Sequence, residues 1–229
     1  MTLPLSASKP FAKGGNRLCF VHPENPARCI KVRKPNFTLV DLRRTKGFPK
    51  NLRPLSSFDD NKEEYEVMKK LERRYGEALF QHVSRCFGMV ETDMGKGIES
   101  ELVRNADGRI AFSLKQQLFE VGLTPDLIAA IDQFCEFWES YCIPSRQLLP
   151  HNLVVQCNSD GSVKRLVAID GLGDPTIIPL NWLPKMYQKH RFRQKTQQLR
   201  SRIATFIQEI DSGKHPSKVG KLKHDGTSQ

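Results

Sequence analysis

No run in this sequence of 229 residues approaches the roughly eighteen uninterrupted apolar residues of a membrane-spanning helix, so none is expected. The opening stretch, MTLPLSASKPFAKGG, lacks an apolar core long enough for a secretory signal. With both absent, a soluble cytoplasmic protein is the expectation. The six cysteines (Cys19, Cys29, Cys86, Cys135, Cys142, Cys157) include no C-x-x-C pair, which suits reduced, mostly buried thiols better than disulfides or zinc. Acidic residues are outnumbered: 36 Lys and Arg against 25 Asp and Glu leave a net charge of +11. The excess gathers at Arg43, Arg44, Lys46, Lys50 and Arg53, and again from Lys185 onward. Such patches attract phosphates, nucleic acid or anionic lipid, and they serve equally as a solvated surface. No internal repeat occurs. A hydrophobic fraction of 38% with 27% charged residues excludes a disordered chain. The length allows one large domain or two small lobes.

What is present divides by its period. Residues 16–22 and 28–33 (RCIKVR) alternate with period two around Pro23-Glu24-Asn25-Pro26, which predicts a hairpin. Residues 35–54 read as a basic loop broken by Pro35, Pro49 and Pro54. From 57 to 75 the spacing turns helical, with Glu64, Met68, Leu71 and Tyr75 on one face. Glu64 is thereby a carboxylate on the inward stripe, while Glu63, Glu66, Lys70 and Glu72 face water. Strand-like pieces follow at 88–91 and 97–103, the second joined to 109–114 through the turn Asn105-Ala106-Asp107-Gly108. Thr124-Pro125-Asp126 opens a helix whose stripe is Leu127, Ile131, Phe134, Cys135 and Trp138. A second hairpin is predicted from 152–156 and 164–169, turned by Asn158-Ser159-Asp160-Gly161. The last helix spans 184–211, with Leu199, Ile203, Phe206, Ile207 and Ile210 inward, and 212–229 is expected to be a disordered basic tail. An α+β chain follows, β-rich first and mainly helical afterwards.

Four positions carry chemistry. Lys31 lies in a strand between Ile30 and Val32, and Glu64 lies on the apolar face of the next helix. Asn152 opens a strand after Pro150, and Asp170 ends one before Gly171-Leu172-Gly173. A carboxylate at a strand end beside glycines suits a metal, and Asn152 offers a second, neutral oxygen. Lys31 suits either Glu64 or a phosphate. Each also has an ordinary reading: an edge-strand lysine, an outward-reaching glutamate, a capping asparagine, a simple Asp-Gly turn.

Their order resembles the protein-kinase set of strand lysine, helix glutamate, and the asparagine and aspartate that hold metal. Cys29-Ile30-Lys31-Val32 stands where V-A-I-K would, and Asp170-Gly171-Leu172-Gly173 where D-F-G would. The chain more closely resembles the bacterial PhoP regulatory network (YrbL-like) proteins, themselves related to kinases. The segments that carry this are Cys19-Phe20-Val21-His22-Pro23-Glu24 with Arg28-Cys29-Ile30-Lys31, and Val90-Glu91-Thr92-Asp93 with Gly95 and Gly97. Pro150-His151-Asn152-Leu153, Asp170 and Thr176-Ile177-Ile178-Pro179-Leu180 complete them, over roughly residues 14–185.

The resemblance implies a single kinase-like domain: a small β-rich first lobe over 1–104 with the basic insertion 35–54, and a reduced, mainly helical second lobe over 105–211. It implies ATP and magnesium as cofactors. Gly14 and Gly15 would cover the phosphates, Lys31 would contact them and pair with Glu64, and Asn152 and Asp170 would hold the metal. Glu99 and Leu102 would belong to the hinge behind the adenine. The full G-x-G-x-x-G is missing, however, from Lys13-Gly14-Gly15-Asn16-Arg17. Gln147 stands where kinases place the catalytic aspartate, and it can orient a hydroxyl but not take its proton. Such a loss costs about 10²–10⁴ in rate. Asp174 and Asp160 are candidate substitutes.

Three readings stay open. One is an atypical phosphotransferase with an unidentified acceptor. Another is a catalytically impaired, nucleotide-binding regulatory module meeting a regulatory protein in a bacterial stress response. The third is a protein that binds an anionic ligand through the basic loop and tail.

Overall fold

Period-two alternation early in the chain builds an antiparallel sheet. Its strands are β1 (Ala12–Lys13), β2 (Arg17–His22), β3 (Asn25–Arg33), β4 (Cys86–Thr92) and β5 (Gly95–Glu101), in the order β1-β2-β3-β5-β4. The computed structural model describes residues 2–44, 47–48, 50–52, 54–173 and 184–227. Register decides what each face carries, because directly paired residues share a face. Phe20 pairs Ile30, and these two with Val32 pack under Leu3 and Leu5 on the outer side. Cys19 pairs Lys31, so β2 and β3 turn Arg17, Cys19, Cys29 and Lys31 to the inner side.

Helix α2 (Asp60–Tyr75) packs against β4 and β5. The Asp59 carboxylate caps it by accepting from the Asn61 N–H at 3.1 Å. Met68 and Leu71 are buried and Glu66, Lys70 and Glu72 exposed, as the helical spacing predicts. Asn61 anchors the first turn to the sheet by donating to the Lys31 carbonyl at 3.1 Å.

The remainder is a three-stranded antiparallel sheet, β6 (Phe112–Ser113), β7 (Leu153–Cys157) and β8 (Val163–Ala168), with α3 (Leu114–Glu120), α4 (Pro125–Tyr141) and α5 (Lys185–Asp211). One large core joins Met68 and Leu71 of α2 to Leu127, Phe134 and Trp138 of α4, Leu153 and Leu166 of the sheet, and Leu199 of α5. Phe134 and Trp138 stack with ring centroids 4.9 Å apart, both fully buried. Each such burial stabilises by about 1.5–3 kcal/mol. The chain is thus mixed α+β, and among the described residues no helix is long and apolar enough to cross a membrane.

Three local expectations are corrected. The basic segment 35–54 contains a helix, α1 (Leu39–Arg44). Its start is a reciprocal cap: the Thr38 N–H donates to Asp41 Oδ2 at 2.9 Å, and the Asp41 N–H to Thr38 Oγ1 at 3.2 Å. The strand expected over 109–114 shrinks to β6, because the Ser113 hydroxyl accepts from the Gln116 N–H at 3.2 Å and starts α3. Residues 212–227, expected to be disordered, form no helix or strand but lie against Phe11, Ile110 and α3. Lys46, Arg53, Asp174 and the segment 176–180 lie outside the described residues.

Candidate functional site

A cavity of about 450 Å³ is lined from both sheets, from α2 and from the C-terminal segment. Its charged end starts from the inner face of β3. Lys31 Nζ donates to Glu64 Oε1 at 2.7 Å and to the Ile169 carbonyl at 2.8 Å. Arg17, from β2, completes a chain of charges. One guanidinium nitrogen meets Glu64 Oε2 and lies 3.2 Å from Asn61 Oδ1; the other meets Asp170 Oδ2 at 3.0 Å. Two cations therefore face two carboxylates. Burial is the strongest single influence on Lys31 and lowers its pKa, but Glu64, Asp170 and Cys29 together outweigh it and hold the ammonium above its ordinary range. Arg17 is likewise buried and likewise held charged, by Glu64 and then Asp170. Burial opposes ionisation of Asp170, yet Lys31, Arg17, the Gly171 N–H and Arg146 together keep its carboxyl below the usual range.

Asp170 follows β8 and stays 48% exposed. Gly171 is more than a turn former here. At φ +81°, a Cβ on it would sit 2.8 Å from the Gln147 carbonyl oxygen and 3.1 Å from Asn152 Nδ2. Only glycine lets the loop before β7 approach the Asp170 turn so closely. The Arg146 N–H donates to the Gly171 carbonyl at 2.8 Å and reinforces that contact. Asn152 thus lines the cavity beside Asp170, and its side-chain amide makes no hydrogen bond among the described residues.

The opposite end is apolar. Phe11, Cys29, Leu102 and Ile110 form a buried group, with Cys19, Val21 and Leu222 partly buried against it. Val103, Ala111, Val154 and Val167 make a second group alongside. Burial pushes the Cys29 thiol up to about 12, so it stays a neutral wall of the cavity.

Of the residues singled out from sequence, Gly14, Gly15, Lys31, Glu64, Leu102, Asn152 and Asp170 all line this one cavity. Glu99 does not. Its partner across the ladder is Ile30, so it belongs to the outer face, where Arg28 Nη1 reaches it at 2.9 Å and His22 at 3.5 Å. Gln147 is exposed and not among the lining residues. Asp160 is spent in the β7–β8 turn, accepting from Ser162 at 2.6 and 2.9 Å. Sequence reasoning missed Arg17, Arg146, His151 and the segment 219–222, which also line the cavity. For Arg17 a signal existed: it shares the face of Cys19, two residues on.

A family model described as PhoP regulatory network protein YrbL matches residues 3–204. Relatives from Escherichia coli strain K12 and from Shigella flexneri, each named uncharacterized protein YrbL, are 28% identical over 180 residues. The match covers 77% of this chain and 76% of theirs. With most of its length matched, the chain belongs to the PhoP regulatory network protein YrbL family.

Proposed function

We propose that this protein is a kinase-like, two-lobed nucleotide-binding protein that takes ATP with magnesium and transfers phosphate slowly. The first sheet with α2 is the small lobe, and the second sheet with α3–α5 is a reduced second lobe. The observation that carries the reading is the Lys31–Glu64 ion pair at 2.7 Å, facing Asp170 and Asn152 across one cavity. A strand lysine held by a helix glutamate is what phosphoryl transfer uses to hold the phosphates. Three hundred to a thousand cubic ångströms is the usual range for such ligands, in rough terms, and the cavity falls within it.

The residues fit magnesium in one manner. Among the described residues no three of His, Cys, Asp and Glu converge on a metal geometry. A half-exposed carboxylate and an unbonded amide suit a cation shared with ligand phosphates instead of a protein-only cage. Magnesium there would neutralise charge on the transferring phosphate. Lys31 orients the phosphates, and Arg17, which spans Glu64 and Asp170, is placed to exchange Asp170 for a phosphate oxygen. Gln147 is exposed beside the cavity and does not line it, so its role is confined to orienting an acceptor hydroxyl that arrives from the solvent side, without taking its proton.

A second reading, a nucleotide-binding regulatory module with impaired catalysis, rests on a separate observation. Among the described residues, every carboxylate lining the cavity already has a partner: Asp60 has Asn16, Glu63 has Arg146, Glu64 has Lys31 and Arg17, Glu101 has the Arg85 N–H, and Asp170 has Arg17. None of these five stands idle as a base. The family's description places its members in the PhoP regulatory network, a setting that suits either reading.

ATP turnover by the wild type, Gln147→Asp and Lys31→Met decides between them. A slow transferase predicts loss in Lys31→Met and a gain of about 10²–10⁴ in Gln147→Asp. No gain favours the regulatory module, and turnover that survives Lys31→Met contradicts the phosphate-holding role.

A further inference from the structure

The C-terminal segment lines one side of the cavity. On one flank it is tied to the second sheet and α3: Lys115 Nζ donates to the Ser217 carbonyl at 2.9 Å and the Val219 carbonyl at 3.2 Å, and Ser113 Oγ to the Gly220 carbonyl at 2.5 Å. Gln116 Oε1 accepts from the Leu222 N–H at 2.9 Å. On the other flank it reaches the first sheet, where the Phe11 carbonyl accepts from the Lys223 N–H at 2.7 Å. The Ile110 N–H donates to the Asp225 carbonyl at 2.8 Å, and the His224 ring meets Phe11 edge-on. These are backbone groups and charges from both halves of the molecule, spent on one irregular segment.

Three observations show what the segment does there. Val219, Gly220, Lys221 and Leu222 line the cavity, and Leu222 packs with Phe11, Cys29, Leu102 and Ile110 at the apolar end. Gly220 sits at φ +78°, and a Cβ on it would lie 2.5 Å from His151 Cβ, one residue from Asn152. The approach of this segment to the loop before β7 therefore depends on a glycine. Finally, the cavity retains about 450 Å³ with the segment in place, so the segment encloses the space without filling it. Charge adds a ligand preference. Lys13 and Lys221 line the cavity beside the strap, Lys221 meeting Glu120 at 3.2 Å, and Lys31 and Arg17 supply the cations at its charged end.

We propose that residues 217–226 form a strap that is the outer wall of the ligand site, with Leu222 packing on the apolar ring of an anionic ligand held between the two sheets. The proposal deepens the nucleotide reading and rests on it for the ligand's identity. Strap docking and ligand binding then favour each other by the same factor, as linkage requires.

Two full-length variants test it. Gly220→Val drives a side chain into His151, and Leu222→Asp places a charge in the apolar group; circular dichroism checks that each folds. The first readout needs no ligand: alkylation of the cavity thiols Cys19 and Cys29 followed by mass spectrometry, with hydrogen exchange at the Ile110 amide. The strap predicts faster labelling and faster Ile110 exchange in both folded variants. Unchanged rates overturn the wall itself, whatever ATP does. The second readout is calorimetry with ATP and magnesium, where coupling predicts affinity weaker by about tenfold in the variants. Affinity equal to or above the wild type's overturns the coupling. Faster labelling together with no ATP binding by the wild type leaves the wall standing and removes the nucleotide reading.

Discussion

At one end of the cavity Lys31, Arg17, Glu64 and Asp170 hold one another by charge; at the other, Phe11, Cys29, Leu102, Ile110 and Leu222 meet by shape alone. The two ends are held in different ways. Ion pairs in the charged end can be re-partnered, since a phosphate oxygen can take a guanidinium that a carboxylate releases. Apolar contacts at the far end have no alternative partner, and selectivity there depends on what fits. The proposed ligand, an anion carrying a flat apolar group, would use both.

The comparison breaks most visibly at Glu64. Glu64→Ala leaves Lys31 and Arg17 short of a carboxylate in buried surroundings, and about 3–5 kcal/mol of stability should be lost by thermal unfolding. A melting temperature equal to the wild type's would mean the pair is not formed. Gly171→Ala comes next, at about 1–3 kcal/mol, because the new Cβ meets the Gln147 carbonyl in a left-handed backbone. Urea unfolding reads the stability loss, and displacement of Asp170 should appear as weaker magnesium-dependent nucleotide binding. Leu222→Ala should cost less than the roughly 2 kcal/mol floor for fully buried leucines, since Leu222 is only partly buried.

The smallest effect concerns pH. The native Asp170 carboxyl titrates below its unfolded value, so the unfolded chain binds the proton more readily across the interval between them. Stability from this group is complete above the unfolded value of about 3.9 and is lost as pH falls through the lower native one. Asp170→Asn should flatten the acid-unfolding slope below about pH 4. A slope identical to the wild type's would mean that Asp170 is not held by the two cations.

The charged end was more legible in sequence than the apolar one. Period two put Lys31 on the strand face opposite Ile30 and Val32, leaving an edge-strand role open, and helical spacing placed Glu64 on the buried stripe, both local properties of a few residues. Arg17 escaped because a charged residue opening a strand reads as solvated unless its cross-strand neighbours are known. Glu99 was assigned to the hinge by its position along the chain, whereas pairing with Ile30 turns it outward. That is a register question, and one residue decides the face. α1 was present in the Thr38-x-x-Asp41 spacing and hidden by the prolines around it. The strap was beyond reach: its contacts join Leu222 to Gln116 and Lys223 to Phe11, far apart in a segment without periodicity.

Calorimetry of ATP binding with and without magnesium, on wild type and Asp170→Ala, tests the central claim most directly. Magnesium-dependent binding by the wild type that is lost in Asp170→Ala is the predicted result. No binding by the wild type, or equal binding by the variant with magnesium present, would contradict it.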